Sequence, residues 1–428
     1  LLNIKACRFK RLSYQQNRMK IYQKQRDTLL MSSTISKRLF YVLTVTFILL
    51  AVLGQFSTGI YTPFFAELAQ LHGTKISLIE KSVAIFLIAF AVSQLLSGIA
   101  CDYLNKPRLL HSGLLLFTVG TLIVACANSP LLFLTGRVIQ GLGGGVGVSV
   151  TRALSKQLFS PQQLNVSLSL TNIAFAIAPA IAPMLGTLTG EWLGLRAVFF
   201  VVLLIALLAF GLLFAVTPAL KLRPISNSPH VMRDTLTLLK SSVSSILLTG
   251  TASGLLYGIV FGFVTISPSL IINEHGYSKG AFSLFSLLAT ICFVLGSVVN
   301  IKLSGVSALR KFTLSGWVIL GLSCTTLLWI TIMGADSLWL IMSFSYLIFF
   351  LAGIAMPCSV LLMLGFSDTS AGLLAALTGF FHLTGASVGA YLVATIHQPP
   401  AYAFLLTTTA LSLGSVIACA FIRVQQSD

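Results

Sequence analysis

Twelve apolar stretches, separated by short polar segments, run along almost the whole chain. Each holds about 20 residues or more, enough for a helix to cross the hydrocarbon core of a bilayer. Open strands are excluded, because lipid offers no hydrogen-bond partners to their backbone groups. The pattern therefore predicts an all-α polytopic membrane protein with twelve transmembrane helices. The predicted spans cover residues 39–61, 81–101, 109–127, 131–153, 165–189, 197–217, 244–268, 281–301, 312–333, 338–362, 371–396 and 401–422.

The longest internal polar stretch, residues 218–243, lies between the sixth and seventh spans. It divides the chain into two predicted six-helix halves, residues 39–217 and 244–422, and we expect it to form a cytoplasmic central loop. Residues 423–428 form a predicted cytoplasmic C-terminal tail. Transporters are often built from two such repeats, with the substrate site between them near the middle of the membrane.

The N-terminal segment, residues 1–38, is strongly basic. It carries ten Lys and Arg residues against one acid, Asp27, so its charge is +9 out of +17 for the whole chain. Such a run is suited to nucleic acid or anionic lipid, but we interpret it as an unstructured cytoplasmic tail and expect no nucleic-acid partner. Because Met31 resembles a natural start, we interpret residues 1–30 as an upstream extension.

The loop cations predict the orientation, because Lys and Arg concentrate in short cytoplasmic loops. With both termini inside, the cytoplasmic side receives many more cations than the outer side, so we predict an N-in/C-in topology. The outer side receives Lys75, Lys81, Arg196 and Lys279. The cytoplasmic side receives Lys37, Arg38, Lys106, Arg108, Arg152, Lys156, Lys221, Arg223, Arg233, Lys240, Lys302, Arg310, Lys311 and Arg423.

The composition excludes a soluble protein and argues against an enzyme. Hydrophobic residues make up 56% of the chain and charged residues 9%, with ten carboxylates in all. The seven cysteines show no metal-ligand spacing, and we expect neither a metal nor a cofactor. Gly385-Ala-Ser387-Val-Gly389 matches a serine-nucleophile pattern, but it lies within an apolar helix instead of a strand-to-helix turn. We interpret it as a helix-packing motif.

Arg137 is the most informative single residue. It lies six residues inside the fourth span, about 9 Å from the predicted outer end. A cation at that depth normally faces a cavity or a partner, and the alternative is a side chain that reaches the outer interface. Gln140 and Gly141 on the next turn favour a polar stripe that faces a cavity. The glycines that follow, up to Gly147, indicate close helix packing or a bend.

Two prolines and a glycine lie within the fifth span, at Pro179, Pro183 and Gly186. Each proline removes a backbone hydrogen bond and bends its helix. The bend is either a fixed packing feature or a hinge, and we favour a hinge or gate between the two halves.

Together these motifs resemble the major facilitator superfamily, and within it the Bcr/CflA-like drug:proton antiporters. Gly98-x-x-x-Asp102, with Lys106 and Arg108, resembles the family's cytoplasmic latch motif. The segment from Arg137 to Gly143 resembles a motif associated with proton transfer, and the segment from Pro179 to Gly186 an antiporter motif. The resemblance implies a monomeric, multi-pass protein of the bacterial cytoplasmic (inner) membrane that moves substrate by rocking its two halves.

Three departures from the family pattern affect this interpretation. Gly59 stands where relatives carry a membrane aspartate implicated in cation and proton coupling. In the latch motif, Tyr103 stands where a basic residue is usual, Asn105 replaces a glycine, and Pro107 interrupts the basic run. His382 stands where a glutamine is common. Glu67 or His382 is therefore the candidate proton carrier, although an interfacial acid and a hydrogen-bonded core histidine are the simpler interpretations.

The sequence predicts a secondary transporter that exports small drug-like or metabolite-like molecules in exchange for protons. The alternative is a proton-independent facilitator or importer of an anionic metabolite, which Gly59 supports. A membrane enzyme or a sensor is a distant alternative. Since Arg137 has no aspartate partner, we hypothesise that it faces a hydrated cavity and favours anionic substrates. The candidate cavity residues are Gln55, Gly59, Tyr61, Gln94, Arg137, Gln140, Asn172, Tyr257 and His382.

Overall fold

The computed structural model describes residues 36–101, 103–220, 229–333, 337–366 and 371–422. The regular elements of these residues are helices. A short helix, Phe65–Leu71, follows the first long helix, and a π-helical turn, Ser269–Glu274, follows the seventh. The long helices are α1 Lys37–Gly59, α2 Ile76–Ala100, α3 Lys106–Cys126, α4 Pro130–Leu158, α5 Pro161–Leu193, α6 Leu195–Val216, α7 Pro229–Pro268, α8 Lys279–Lys302, α9 Ala308–Met333, α10 Leu338–Leu364, α11 Ala371–Thr395 and α12 Pro400–Ala420.

The observed helices follow the predicted spans closely, and they confirm an all-α membrane protein. Eleven helices of the described residues are long and apolar enough to cross a bilayer. Helix α5 lies outside that set but is itself 33 residues long. Three boundaries differ from prediction by five residues or more: α2 starts five residues earlier, at Ile76, α4 ends five residues later, at Leu158, and α7 starts at Pro229 inside the predicted central loop. Residues 221–228 of that loop and both predicted tails, apart from Ser36–Arg38, lie outside the described residues.

Serine and asparagine caps start several of the helices. The side chains of Ser36, Ser129, Ser160 and Ser278 each accept a hydrogen bond from a backbone N–H of the first turn. Asn105, which stands in place of the family's usual glycine, caps α3 in the same way through the N–H of Arg108, at 3.1 Å. These caps satisfy donors that a helix start leaves unpaired.

The glycine-rich stretch of α4 packs directly on three neighbouring helices. A Cβ atom added to Gly141, Gly143, Gly145 or Gly147 would come within 2.2–2.6 Å of backbone atoms of α1, α2 or α3. Only glycine permits backbones to approach this closely. The structure therefore confirms the close packing that the sequence predicted for this stretch, and it fixes α4 at the centre of the first half.

The glycines around Ser387 join α11 to α7. Added Cβ atoms on Gly385 and Gly389 would lie 1.9 Å from the carbonyl oxygens of Gly254 and Gly258. Between them, the hydroxyl of Ser387 donates a hydrogen bond of 2.8 Å to the carbonyl oxygen of Ala84 on α2. The motif lies in the middle of a helix, and its three residues make helix contacts, as predicted.

The hydrophobic core forms two main clusters. One draws mainly on residues 40–220 and the other on residues 252–419. Helix α11 joins the two, because Leu383, Ala386 and Ala390 pack into the first cluster while Val393 belongs to the second. The halves meet through the pairs α2–α11 and α5–α8. We call the bundle end at which α1 ends and α2 begins the distal end, and the opposite end the proximal end.

Candidate functional site

Arg137 lies on α4 with no exposed surface. Its Nη1 atom donates a hydrogen bond of 3.4 Å to the carbonyl oxygen of Ser57 on α1 and a second to the side-chain oxygen of Gln140. Gln140 in turn donates to the hydroxyl of Thr121 on α3, at 2.8 Å. The arginine thus ties three helices of the first half together, and in this conformation it borders no open cavity.

Aromatic faces surround the rest of the guanidinium. Its carbon lies 4.2 Å from the ring centre of Phe86 and 4.9 Å from that of Tyr61. The hydroxyl of Tyr61 pairs with Ser82 at 2.8 Å, which fixes that ring. Within the described atoms, Nε and Nη2 of Arg137 have no hydrogen-bond partner. Cation–π attraction and two oxygen acceptors therefore replace the carboxylate that a buried arginine usually has.

Gly59 lies where α1 crosses α5. A Cβ atom there would be 3.0 Å from the Cβ of Ala182 and 3.6 Å from Pro183. One residue along α1, the carbonyl oxygen of Ile60 lies 1.8 Å from the position of an added Cβ on Gly186. Pro179, Pro183 and Gly186 belong to one continuous helix. The predicted gate is therefore a tight α1–α5 crossing, and its hinge role remains a prediction.

A second polar cluster lies between the halves. The ring of His382 on α11 stacks on Tyr257 of α7, with ring centres 5.0 Å apart and planes 15° apart. Its Nε2 atom pairs with the hydroxyl of Ser359 on α10, at 3.2 Å. Arg152 approaches from α4 of the other half, close enough for its charge to act on both rings. Its side chain is exposed, and both rings are only half-buried, so the three residues border open space.

The remaining predicted cavity residues are enclosed or lie outside the described side chains. Gln55 and Gln94 are buried, and the amide of Gln94 packs against Gly379 of α11. Asn172 belongs to α5, but its side chain is not among those described. The predicted cavity set therefore separates into the enclosed Arg137 cluster and the open cluster of Tyr257 and His382.

The predicted latch residues lie at the proximal end. Gly98 faces Ala376 of α11, with 3.4 Å between that Cβ and the position of an added Cβ. Lys106 is buried, and Arg108 is exposed. Asp102 lies outside the described residues, so the latch remains a prediction.

Polar contacts join the two halves at the distal end. Glu67 and Lys279 form an ion pair of 2.5 Å, with side chains 40% and 21% exposed. Thr187 of α5 pairs with Ser283 of α8 at 3.2 Å. Nearby, burial and then the charge of Arg196 lower the pKa of His72 below its ordinary value of 6.5, so this histidine is neutral at pH 7.

Glu80 is a buried carboxylate at the same end. It is 5% exposed, and it accepts a hydrogen bond of 2.5 Å from the hydroxyl of Ser269 in the other half. It borders a cleft of about 350 Å³ that Asn273 and His397 also line.

The sequence reasoning missed both Glu80 and Arg152 as site residues. Glu80 was placed outside the second span, although Ile79 and Val83 continue the helical spacing on a buried face. Arg152 lies inside the predicted fourth span, residues 131–153, and the charge pattern assigns it to the cytoplasmic side, while Val150 and Leu154 continue the buried face of α4 past it. Helices α2 and α4 each extend five residues beyond the predicted spans, and hydropathy does not indicate that Glu80 and Arg152 lie between the halves.

The family profile of the Major Facilitator Superfamily matches residues 47–363. The chain belongs to the Major Facilitator Superfamily. This assignment agrees with its candidate membrane spans, and the family is one of multi-pass membrane transporters.

This superfamily member is similar to several bacterial drug-resistance proteins. It is 24% identical to a bicyclomycin resistance protein homolog of Haemophilus influenzae over 61% of this chain and 66% of the relative. It is 25% identical to multidrug resistance protein D of Escherichia coli, over 54% of this chain and 61% of that relative. With a chloramphenicol resistance protein of Pseudomonas aeruginosa the identity is 26%, over 60% of each. The chain thus spans about three fifths to two thirds of the length of these relatives, which agree with a place in the bacterial inner membrane.

Two solved structures share the fold. A bacterial homolog of the human lysosomal transporter Spinster, in an inward-facing and unoccupied conformation, has a TM-score of 0.71 at 13% identity and covers 91% of this chain and 97% of its own. A peptide transporter, POT, in complex with sulfate has a TM-score of 0.70 at 13% identity, and the match covers 90% of this chain and 93% of the transporter. At this identity the similarity is one of fold.

Proposed function

We propose that this superfamily member exports small organic molecules by alternating access, in exchange for protons. Its relatives carry drug-resistance names, which supports export of drug-like or metabolite-like substrates. The proposal includes twelve spans in two halves, residues 39–217 and 244–422, with 218–243 and both tails in the cytoplasm. The distal end is then the outer end.

The observation that carries proton exchange is the position of Glu80. An ionisable group inside a membrane protein is costly, and it marks substrate paths or proton relays. Glu80 bonds across the two halves to Ser269, at the edge of an open cleft. The ionised carboxylate only accepts hydrogen bonds, whereas the protonated form also donates one. Protonation therefore changes the contact that joins the halves, and this supplies a link between proton binding and opening.

Glu67 and His382 have partners that make them weaker carriers. Glu67 is held by Lys279 in an ion pair, and its side chain is partly exposed. His382 is held within its own half by stacking on Tyr257 and by pairing with Ser359, so its contacts do not join the two halves.

The test is transport by reconstituted protein in liposomes with an acidic interior. The panel contains neutral chloramphenicol, the aromatic cation ethidium and the aromatic anion 2-naphthoate. We expect a compound of the panel to accumulate against its gradient only while the pH difference is present. Glu80→Gln, which cannot ionise, should abolish accumulation and keep passive exchange of the same compound.

The control is Glu191→Gln, because Glu191 is an exposed carboxylate at the distal end of α5. It should accumulate the compound like the unmodified protein. Accumulation that survives in Glu80→Gln would overturn the role of Glu80. Transport at the same rate with and without the pH difference would favour the proton-independent facilitator that Gly59 suggests.

A further inference from the structure

Arg152 is an accessible arginine without an acid among its described surroundings. The ion pair of Glu67 with Lys279 lies at the distal end. The four carboxylates whose side chains are described, Glu67, Glu80, Glu191 and Glu274, lie in the distal turns or close to them. Arg152 lies about 33 Å along α4 from its distal start. The open space that the exposed Arg152 side chain borders is therefore positively charged.

Two aromatic rings lie beside this charge. Tyr257 and His382 form a stacked pair from α7 and α11, and Phe261 lies against Tyr257 with ring centres 5.3 Å apart. Ser359 holds His382 in place through its Nε2 atom. Flat apolar groups stack on such faces, and the arginine fork binds a carboxylate through two parallel hydrogen bonds.

We propose that the cavity binds amphipathic aromatic anions, with the carboxylate on Arg152 and the ring against Tyr257 and His382. This inference rests on the proposed function and names the substrate class of that site. Arg137 is enclosed by Phe86, Tyr61 and Gln140, so the anion preference that the sequence suggested for Arg137 moves to Arg152. The same positive charge disfavours aromatic cations.

Anionic cargo also fits export in the proposed orientation. The interior of a bacterial cell is electrically negative, so an anion that leaves moves down the membrane potential. Exchange of the anion for an incoming proton moves charge in the same favourable direction. No further energy source is needed to expel such a compound.

The test measures equilibrium binding to the purified full chain in detergent, with three probes of one shape. They are 2-naphthoate, neutral 2-naphthamide and cationic 2-naphthylmethylamine. We expect 2-naphthoate to bind at least about tenfold more tightly than the amide, and the amine to bind most weakly. A charged hydrogen-bonded pair supports a difference of this size.

Arg152→Gln should reduce the difference between 2-naphthoate and the amide to about twofold or less. Lys156→Gln is the matched control, because Lys156 is an exposed cation one turn further along α4, and it should leave the difference unchanged. His382→Gln is a second variant: it should weaken both compounds alike through lost stacking and preserve their ratio. It keeps the proposal testable if Arg152→Gln does not fold.

Equal affinity for the three probes, tighter binding of the amine, or no binding of 2-naphthoate by folded protein at millimolar concentration would overturn the proposal. So would a preference for 2-naphthoate that survives Arg152→Gln. Binding in detergent needs no transport, so the two proposals fail separately. Anion binding without proton-driven transport would support the substrate class and contradict the proposed function. Proton-driven export without anion preference would support the proposed function and contradict the substrate class.

Discussion

Arg137 shows how a buried cation is held without a carboxylate. Two oxygen acceptors and the faces of Phe86 and Tyr61 surround it, and two of its nitrogens have no partner among the described atoms. Desolvation of a charge costs several kcal/mol, which one strong acceptor and weak ring contacts do not fully offset. We therefore expect Arg137 to have a role in the proposed transport that offsets this cost in stability.

This cost predicts an unusual order of stability among variants of Arg137. Arg137→Met keeps the volume and removes the charge, so it should match the unmodified protein or exceed it by about 1–3 kcal/mol. Arg137→Lys keeps a charge that is more strongly hydrated and lacks the planar fork, so it should be the less stable variant. Thermal unfolding in detergent measures both. A lower melting temperature for Met than for Lys would contradict this account, and proton-driven transport should be lost in both.

At the scale of elements, small residues set where the helices cross. The α1–α5 crossing is tight enough that a Cβ on Gly186 would meet the carbonyl oxygen of Ile60 at 1.8 Å. That oxygen belongs to the backbone and has no rotamer by which to move aside. The crossing therefore depends on this glycine more than on any apolar side chain near it.

Gly186→Ala should therefore destabilise the protein by about 1–3 kcal/mol, the cost typical of overpacking. Gly211→Ala on α6 is the matched control, since nothing lies within 4 Å of its added Cβ. It should be neutral or stabilising by up to about 1 kcal/mol, because alanine favours helix. Thermal unfolding of the two variants side by side provides the measurement. Equal melting temperatures would show that α1 and α5 move apart freely.

The sequence predicts elements better than it predicts which charges they bring together. Apolar windows locate the long helices, because each must match a bilayer, and the glycine spacing of α4 predicts its packing. The same windows end at polar turns, so they omit Glu80 from α2, and they place Arg152 at the cytoplasmic end of the fourth span with no indication of its neighbours in the other half. Whether a side chain meets another half depends on tertiary packing. For that reason Arg137 was predicted to face a cavity, whereas the structure encloses it with Phe86.

At the scale of the whole molecule, the distal closure includes the ion pair of Glu67 and Lys279. Because both side chains are partly exposed, the pair should contribute only about 0.2–1 kcal/mol. Glu67→Lys places two cations together and should shift the protein towards distal opening by about two- to fivefold. The charge swap Glu67→Lys with Lys279→Glu should restore closure.

Disulfide cross-linking between Thr187→Cys and Ser283→Cys reports this closure, on a background in which the native cysteines are replaced by serine. The two hydroxyls lie 3.2 Å apart in the closed arrangement. We expect the yield to fall in Glu67→Lys and to recover in the swap. Glu191→Gln is the control and should not change it. A yield that stays low in the swap would show that the pair does not hold the halves together.

Under the proposed alternating access, the polar contacts that join the halves at the distal end have an energetic consequence. When the halves separate there, Glu80, Ser269, Thr187 and Ser283 each exchange a protein partner for a water molecule. Such an exchange costs about 1 kcal/mol for each hydrogen bond, so the closed and open arrangements differ by only a few kcal/mol. A single bound ligand or proton supplies a coupling energy of about 1–3 kcal/mol. If leucine and phenylalanine formed this contact, the free-energy difference between the two arrangements would exceed the coupling energy of one ligand. With polar contacts, the binding of a substrate or a proton is enough to decide which arrangement is populated.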